Sequence, residues 1–183
     1  VIFALVVVWS NGTKDNYIDY FSPSQIEWRF EAPDPITSTP AIDGKRIYVR
    51  TVNSVYALNT STGSQLWRSE SLNKSPLSLA PIIDGVYLIV PENDSRVAVF
   101  STNEGQLVWR TPIIDPNFTH SAAVDIEAIA VRNNVLYVAR FDLALTAYSL
   151  ESGQILLEFD LSGRSNPYLA VDDNAIYLGI GSK

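Results

Sequence analysis

The chain contains no cysteine and no methionine, and it carries a single histidine. Without cysteine there is no disulfide, no cysteine-ligated zinc, no iron–sulfur cluster and no thiol nucleophile. One histidine supplies too little imidazole nitrogen for a histidine-rich metal site. Basic side chains are also scarce: 13 Lys and Arg stand against 20 Asp and Glu in 183 residues, a formal charge of -7. That balance leaves no electrostatic footprint for a phosphate backbone or an anionic membrane surface, so nucleic acid is not expected as a partner. No stretch has a sustained 3.6-residue apolar period with capping signals, which disfavours helical arrays.

The apolar run Val1 to Trp9, VIFALVVVW, is nine residues long, whereas a helix needs roughly 20 to cross a bilayer. A polar, turn-like flank from Ser10 to Asn16 follows. Such a handover is expected where an export signal or membrane anchor meets a mature domain, so residues 1–25 are expected to hold the end of that segment and a leader. An ordinary buried strand is the alternative. No cysteine follows the run, so lipid anchoring is unsupported. The missing methionine leads to the expectation of a truncated longer chain rather than a processed one.

What the sequence does have is a repeat. Val55 to Arg68, VYALNTSTGSQLWR, returns as Val97 to Arg110, VAVFSTNEGQLVWR, and more weakly from Leu145 to Glu158. Its glycine steps from Gly63 to Gly105 to Gly153, intervals of 42 and 48, which points to propellers, solenoids or arrays. Each unit opens with a turn dipeptide before a β-branched and aromatic run: Asp43-Gly44, Asp84-Gly85, Asn133-Asn134 and Asp173-Asn174. These residues tolerate the positive φ of tight hairpins. A second strand pair flanks the turn at Thr62-Gly63 and again at Glu104-Gly105. Prolines are expected where strands begin, at Pro40, Pro81, Pro112 and Pro167, or in loops. Four short antiparallel strands per forty-odd residues describe one propeller blade.

The second half of each unit resembles the blade motif of the propellers related to pyrroloquinoline quinone dehydrogenases, Ala-x-Asp-x-x-x-Gly-x-x-x-Trp. Ala57, Asn59, Gly63 and Trp67 occupy its four fixed positions, as do Val99, Ser101, Gly105 and Trp109, and then Ala147, Ser149, Gly153 and Leu157. Trp28-Arg29 matches the end of one more motif. The resemblance covers residues 26–183 and implies an all-β fold: a β-propeller of four-stranded antiparallel blades at about 37–69, 76–110 and 120–159, with an incomplete blade at 165–183. About three and a half blades are expected, the N-terminal part of a seven- or eight-bladed ring. Glycine is expected to supply a left-handed turn, and tryptophan to wedge between blades. Leu157 should then make a looser contact, and the aligned Tyr48, Tyr87, Tyr137 and Tyr177 should lie on strand faces.

No residue is assigned as catalytic, cofactor-binding or metal-ligating. The resemblance implies a quinone and calcium in the family's dehydrogenases, but no ligand aligns, and their vicinal disulfide is impossible here. Asp125-Ile126-Glu127 puts two carboxylates on one strand face, a conceivable cation or acid/base pair, yet carboxylates are mostly solvated. Asp172-Asp173 is expected to be a turn. His120 stands beside Ser121 and Asp125, which could in principle supply a nucleophile and an orienting carboxylate, but sequence adjacency does not create the geometry that catalysis requires, and a loop residue is expected. The sequons at Asn11, Asn59, Asn73, Asn93 and Asn117 are expected to reflect turn composition. The expected function is an extracytoplasmic, non-catalytic platform that binds proteins through propeller loops, without cofactor, touching a membrane only through its N-terminal segment. The alternatives are the N-terminal part of a quinone-dependent dehydrogenase and the sensor domain of a membrane-anchored receptor or kinase.

Overall fold

Short β-rich runs separated by turn residues become strands throughout the computed structural model of the chain. It describes residues 5–10, 26–70, 79–92, 96–111, 126–140, 144–161 and 165–181. Two strands come first, β1 (Leu5–Ser10) and β2 (Ile26–Ala32), paired in parallel. β3 (Ala41–Ile42), β4 (Arg46–Arg50), β5 (Ser54–Asn59) and β6 (Gln65–Glu70) form a four-stranded antiparallel meander. So do β7 (Ile82–Asp84), β8 (Tyr87–Pro91), β9 (Val97–Ser101) and β10 (Leu107–Arg110). The third meander is β11 (Ile126–Arg132), β12 (Val135–Arg140), β13 (Ala144–Ser149) and β14 (Ile155–Asp160), and the hairpin β15 (Ser165–Val171) and β16 (Ile176–Gly181) closes the set. The order expected of propeller blades is therefore observed. The chain divides into two compact units, Val1–Ile83 and Asp84–Lys183.

The middle strands are buried on both faces, β4, β5, β8 and β9 almost continuously. This is why their sequences read as apolar runs rather than as alternations. In the first unit, Trp28 on β2 packs with Ile47, Val49, Tyr56 and Leu58, with Phe30 and Ile36 against them. Phe30 tilts onto Tyr56 with ring centres 5.2 Å apart. In the second unit, Ala139, Leu145 and Leu161 form a core joined by Leu169, Ile176 and Leu178 of β15–β16. The last hairpin thus lies on the sheet before it.

Leu5–Ser10 is a strand, the alternative left open for Val1 to Trp9. Two expectations change in detail. Pro167 lies within β15, at a shift of register between Ser165 and Pro167, rather than at its start. Tyr87 is not equivalent to the other tyrosines. Tyr48, Tyr137 and Tyr177 each oppose an alanine of their blade's first strand, Ala41, Ala130 and Ala170. On the other side Tyr48 and Tyr137 pair with Ala57 and Ala147, and in the second blade the matching partner, Val99, pairs with Ile89. The hairpin there turns within Gly85 and Val86, which is shorter than the turn after Asp43 and moves Tyr87 two places toward the tip.

Candidate functional site

Each blade has two ends, and both are built from repeated polar devices. At one end lies the motif turn. The amide of Gly63 donates to the Asn59 carbonyl at 2.9 Å, that of Gly105 to Ser101 at 2.9 Å and that of Gly153 to Ser149 at 2.8 Å. The amides of Asn59, Ser101 and Ser149 return to the carbonyls of Ser64, Gln106 and Gln154 at 2.9, 2.8 and 2.8 Å. The glycines take φ of 69°, 68° and 72°, a left-handed conformation that costs other residues about 1–2 kcal/mol. Asn59 Oδ1 also accepts from the amides of Ser61 and Thr62 at 2.8 and 3.1 Å, and Ser149 Oγ from Ser152 at 3.3 Å. The family's aspartate is replaced in this chain, but the turn needs only a short side-chain acceptor, which Asn and Ser provide.

Beyond each turn the outer strand bulges. Trp67 pairs with Ala57, Trp109 with Val99 and Leu157 with Ala147, and one extra residue follows the turn in each case: Leu66, Val108 and Leu156. Such a bulge re-aims the next side chain. The Trp28 ring rests on the Gly63 turn, and its Nε1 donates to the Thr60 carbonyl at 2.8 Å. Trp109 repeats this on Gly153, donating to Leu150 at 2.7 Å. The glycine thus serves two purposes, of which the sequence revealed only the turn. Trp67 is 8% exposed and tilts onto Tyr48, while Leu157 is 46% exposed.

The hairpin tips at this end are held by carboxylates. Asp43 Oδ1 accepts from the Lys45 and Arg46 amides at 3.1 and 2.9 Å, and Tyr48 donates to Oδ2 at 2.8 Å. Asp172 repeats the arrangement with Asn174, Ala175 and Tyr177, each at 2.8 Å. Asp172-Asp173 is therefore the turn expected of it. Asp173 receives Arg132 through two bonds, at 2.7 and 3.0 Å, tying neighbouring tips together on the surface. Asn133 and Asn134 take φ of 50° and 61°, the tight hairpin their types foretold.

Burial pushes the Asp43 carboxyl up, but Tyr48, the two amides and the Arg46 charge outweigh it and hold it below the ordinary carboxylate range. The Asn174 amide, Tyr177 and the Ala175 amide lower Asp172, while Arg132 and Asn133 lower Asp173. Burial, then Asp43, leave Tyr48 above its usual value, and Asp172 does the same to Tyr177. A general acid or base is tuned toward neutrality. These carboxyls and phenols are moved away from it, as structural pairs are. The sign for stability follows. The Asp43 contribution is present above 3.8 and is lost as pH falls through its lowered folded value. The Tyr48 contribution is present below 10.0 and is lost as pH rises through its raised one. Asp43→Asn is expected to lower the urea midpoint at pH 7, and its deficit relative to the parent chain should shrink below about pH 4.

The opposite end carries arginines, of which Arg50 and Arg140 are buried. Arg140, 4% exposed, donates to Thr146 Oγ1 at 2.9 Å and to the Tyr148 hydroxyl at 2.7 Å. Arg68 reaches Ser54 Oγ at 3.1 and 3.2 Å and covers the Tyr56 ring. Arg50, fully buried, donates to the Leu79 carbonyl at 3.4 Å. Glu92, also fully buried, meets Arg110 through Nε at 2.8 Å and Nη2 at 3.0 Å. Arg50, Arg110 and Arg140 are the last residues of β4, β10 and β12, and apolar patterning gave no sign of them.

His120, Ser121 and Asp125 lie outside the described residues, as do Asn11, Asn73, Asn93 and Asn117. Glu127 is half-buried on β11. Among the described residues no three His, Asp or Glu side chains converge as a metal site.

Comparison with known proteins places this geometry. Residues 6–181 match the family model described as outer membrane protein assembly factor BamB. The assembly factor BamB of Yersinia pestis is 29% identical over 163 residues, covering 84% of this chain and 40% of its own length. The crystal structure of BamB from Moraxella catarrhalis overlays with a TM-score of 0.66 at 24% identity, over 85% of this chain and 50% of that one. A europium-containing methanol dehydrogenase shares the fold with a TM-score of 0.56 at 16% identity, over 73% of this chain and 26% of its own. The chain spans about half or less of the length of the curated relatives it matches. With its repeated motif turns, bulges and seated tryptophans, the chain belongs to the BamB family of PQQ-like β-propellers.

Proposed function

We propose that the chain is part of an extracytoplasmic, non-catalytic propeller that binds other proteins and acts as a scaffold in outer-membrane protein assembly. The observation that carries this reading is the family match over residues 6–181. The site chemistry supports it. Carboxylates, amides and arginines at the blade ends are spent on holding turns and strand ends in place, which gives loops a rigid support for recognition. Partners are then proteins met through those loops, and any membrane contact runs through the N-terminal segment.

The test is complementation. The chain, exported to the periplasm of an Escherichia coli strain lacking its own BamB, is expected to raise the level of folded, heat-modifiable porin and to co-purify with outer-membrane assembly proteins. Unchanged porin despite full accumulation of the chain would overturn the reading. Dye-linked alcohol oxidation on addition of pyrroloquinoline quinone and calcium would replace it with the dehydrogenase alternative.

A further inference from the structure

The dipeptide Asp-Gly occurs twice, at Asp43-Gly44 and Asp84-Gly85, each at the tip of a blade's first hairpin. Glycine has no Cβ, so its amide nitrogen can approach the side-chain carboxyl of the aspartate before it without hindrance. Both tips are open to solvent: a Cβ at Gly44 or at Gly85 would meet nothing within 4 Å. What separates the two is how each carboxylate is held.

At Asp43 both oxygens are engaged. Oδ1 accepts from the Lys45 and Arg46 amides at 3.1 and 2.9 Å, and Oδ2 from the Tyr48 hydroxyl at 2.8 Å. A cyclic imide has no carboxylate, so closing one here costs the tip all three bonds. The same donors favour the ionised form, which is the poorer electrophile. The Asp172 tip has this device too, with its tyrosine again five residues on, but alanine and asparagine follow it rather than glycine.

The Asp84 tip lacks the device. Its hairpin turns within Gly85 and Val86, and the residue five places beyond Asp84 is Ile89, which is buried and has no hydroxyl. Tyr87 stands only three places on, paired with Ser101. Among the described residues no hydrogen bond reaches the Asp84 carboxylate, although its charge is felt at Arg132.

We propose that Asp84-Gly85 is a site of spontaneous aspartate isomerisation, and that the turn at Asp43 protects the same dipeptide from it. The Gly85 nitrogen gives its proton to solvent and bonds to Asp84 Cγ, while one carboxyl oxygen leaves as water, closing a succinimide. Water then opens the ring at either carbonyl. One opening restores aspartate. The other gives isoaspartate, whose main chain runs through Cβ and Cγ and whose carboxylate sits on Cα. One water leaves and one returns, so no co-reactant is needed and the mass is unchanged. The product lengthens the Gly85-Val86 turn by one backbone atom.

Peptide mapping of the folded 183-residue chain, aged at physiological pH and temperature, tests this. Isoaspartate is read at each site by retention and fragmentation, and by labelling with protein isoaspartyl methyltransferase. Asn11-Gly12, which can form the same product by deamidation, is scored on its own peptide. Isoaspartate is expected to form at Asp84 about tenfold faster than at Asp43, or more, because only Asp43 must give up hydrogen bonds. In concentrated urea, where both tips are lost, the two rates should agree within about threefold. Tyr48→Phe should raise the rate at Asp43 several-fold and leave Asp84 unchanged. Where that variant fails to fold by circular dichroism, the comparison of folded and urea-treated parent chain decides. Equal rates at the two sites in the folded chain would overturn the proposal. So would a ratio that persists in urea, a folded Tyr48→Phe chain with Asp43 still protected, or no product at Asp84 while the unfolded chain reacts there.

Discussion

Gly63→Ala and Gly153→Ala are each expected to lose about 3 kcal/mol of stability, against about 1 kcal/mol for Gly44→Ala. All three glycines have positive φ, 69°, 72° and 89°, so all three pay the backbone cost of about 1–2 kcal/mol for an L-residue there. They differ in what a Cβ would meet. At Gly44 nothing lies within 4 Å. At Gly153 a Cβ would fall 2.7 Å from Trp109 Cδ2 and 3.0 Å from Cγ, and at Gly63 it would fall 2.9 Å from Trp28 Cγ. The indole is held by its bond to a backbone carbonyl and cannot retreat without breaking it. Forcing extra carbon into such packing costs about 1–3 kcal/mol more. Urea unfolding followed by tryptophan fluorescence measures the three variants side by side. Equal losses would show that the ring contact adds nothing beyond the backbone.

Glu92→Leu is expected to cost about 3 kcal/mol, and Glu92→Leu with Arg110→Leu clearly less. Glu92 has no exposed surface, and its carboxylate meets Arg110 edge to edge at 2.8 and 3.0 Å, with the Arg110 side chain 22% exposed. Removing the carboxylate leaves a guanidinium facing a dehydrated pocket, which is the expensive state. Removing both charges takes away the desolvation cost together with the attraction. A double-mutant cycle in urea gives the coupling directly. A double variant as unstable as the sum of the singles would show that the pair acts through packing alone.

The blade plan was legible because it rests on local rules. Asp43-Gly44 and Asn133-Asn134 mark hairpins by the φ they tolerate, and Gly63, Gly105 and Gly153 mark turns for the same reason. The Trp positions were legible through their spacing from those glycines. Tyr87 was misaligned because a turn shortened within Gly85 and Val86 displaces everything after it, and residue type alone does not report turn length. The replacement of the family's aspartate by Asn59, Ser101 and Ser149 looked like a departure. At Asn59 and Ser149 the side chain still accepts from the turn's amides.

By itself the sequence determined the fold class, the repeat, the order of four strands per blade and the turns that join them, since each depends on residues a few places apart. It also excluded every chemistry that needs cysteine. Only the tertiary structure decided what those elements touch. Trp28 reaches Thr60 across 32 residues and Trp109 reaches Leu150 across 41. Glu92 finds Arg110 across 18 and Arg132 finds Asp173 across 41. Such contacts are set by the stacking of one blade on the next. That stacking also buries Arg50 and Arg140 at strand ends, a property of assembled sheets that no local pattern encodes.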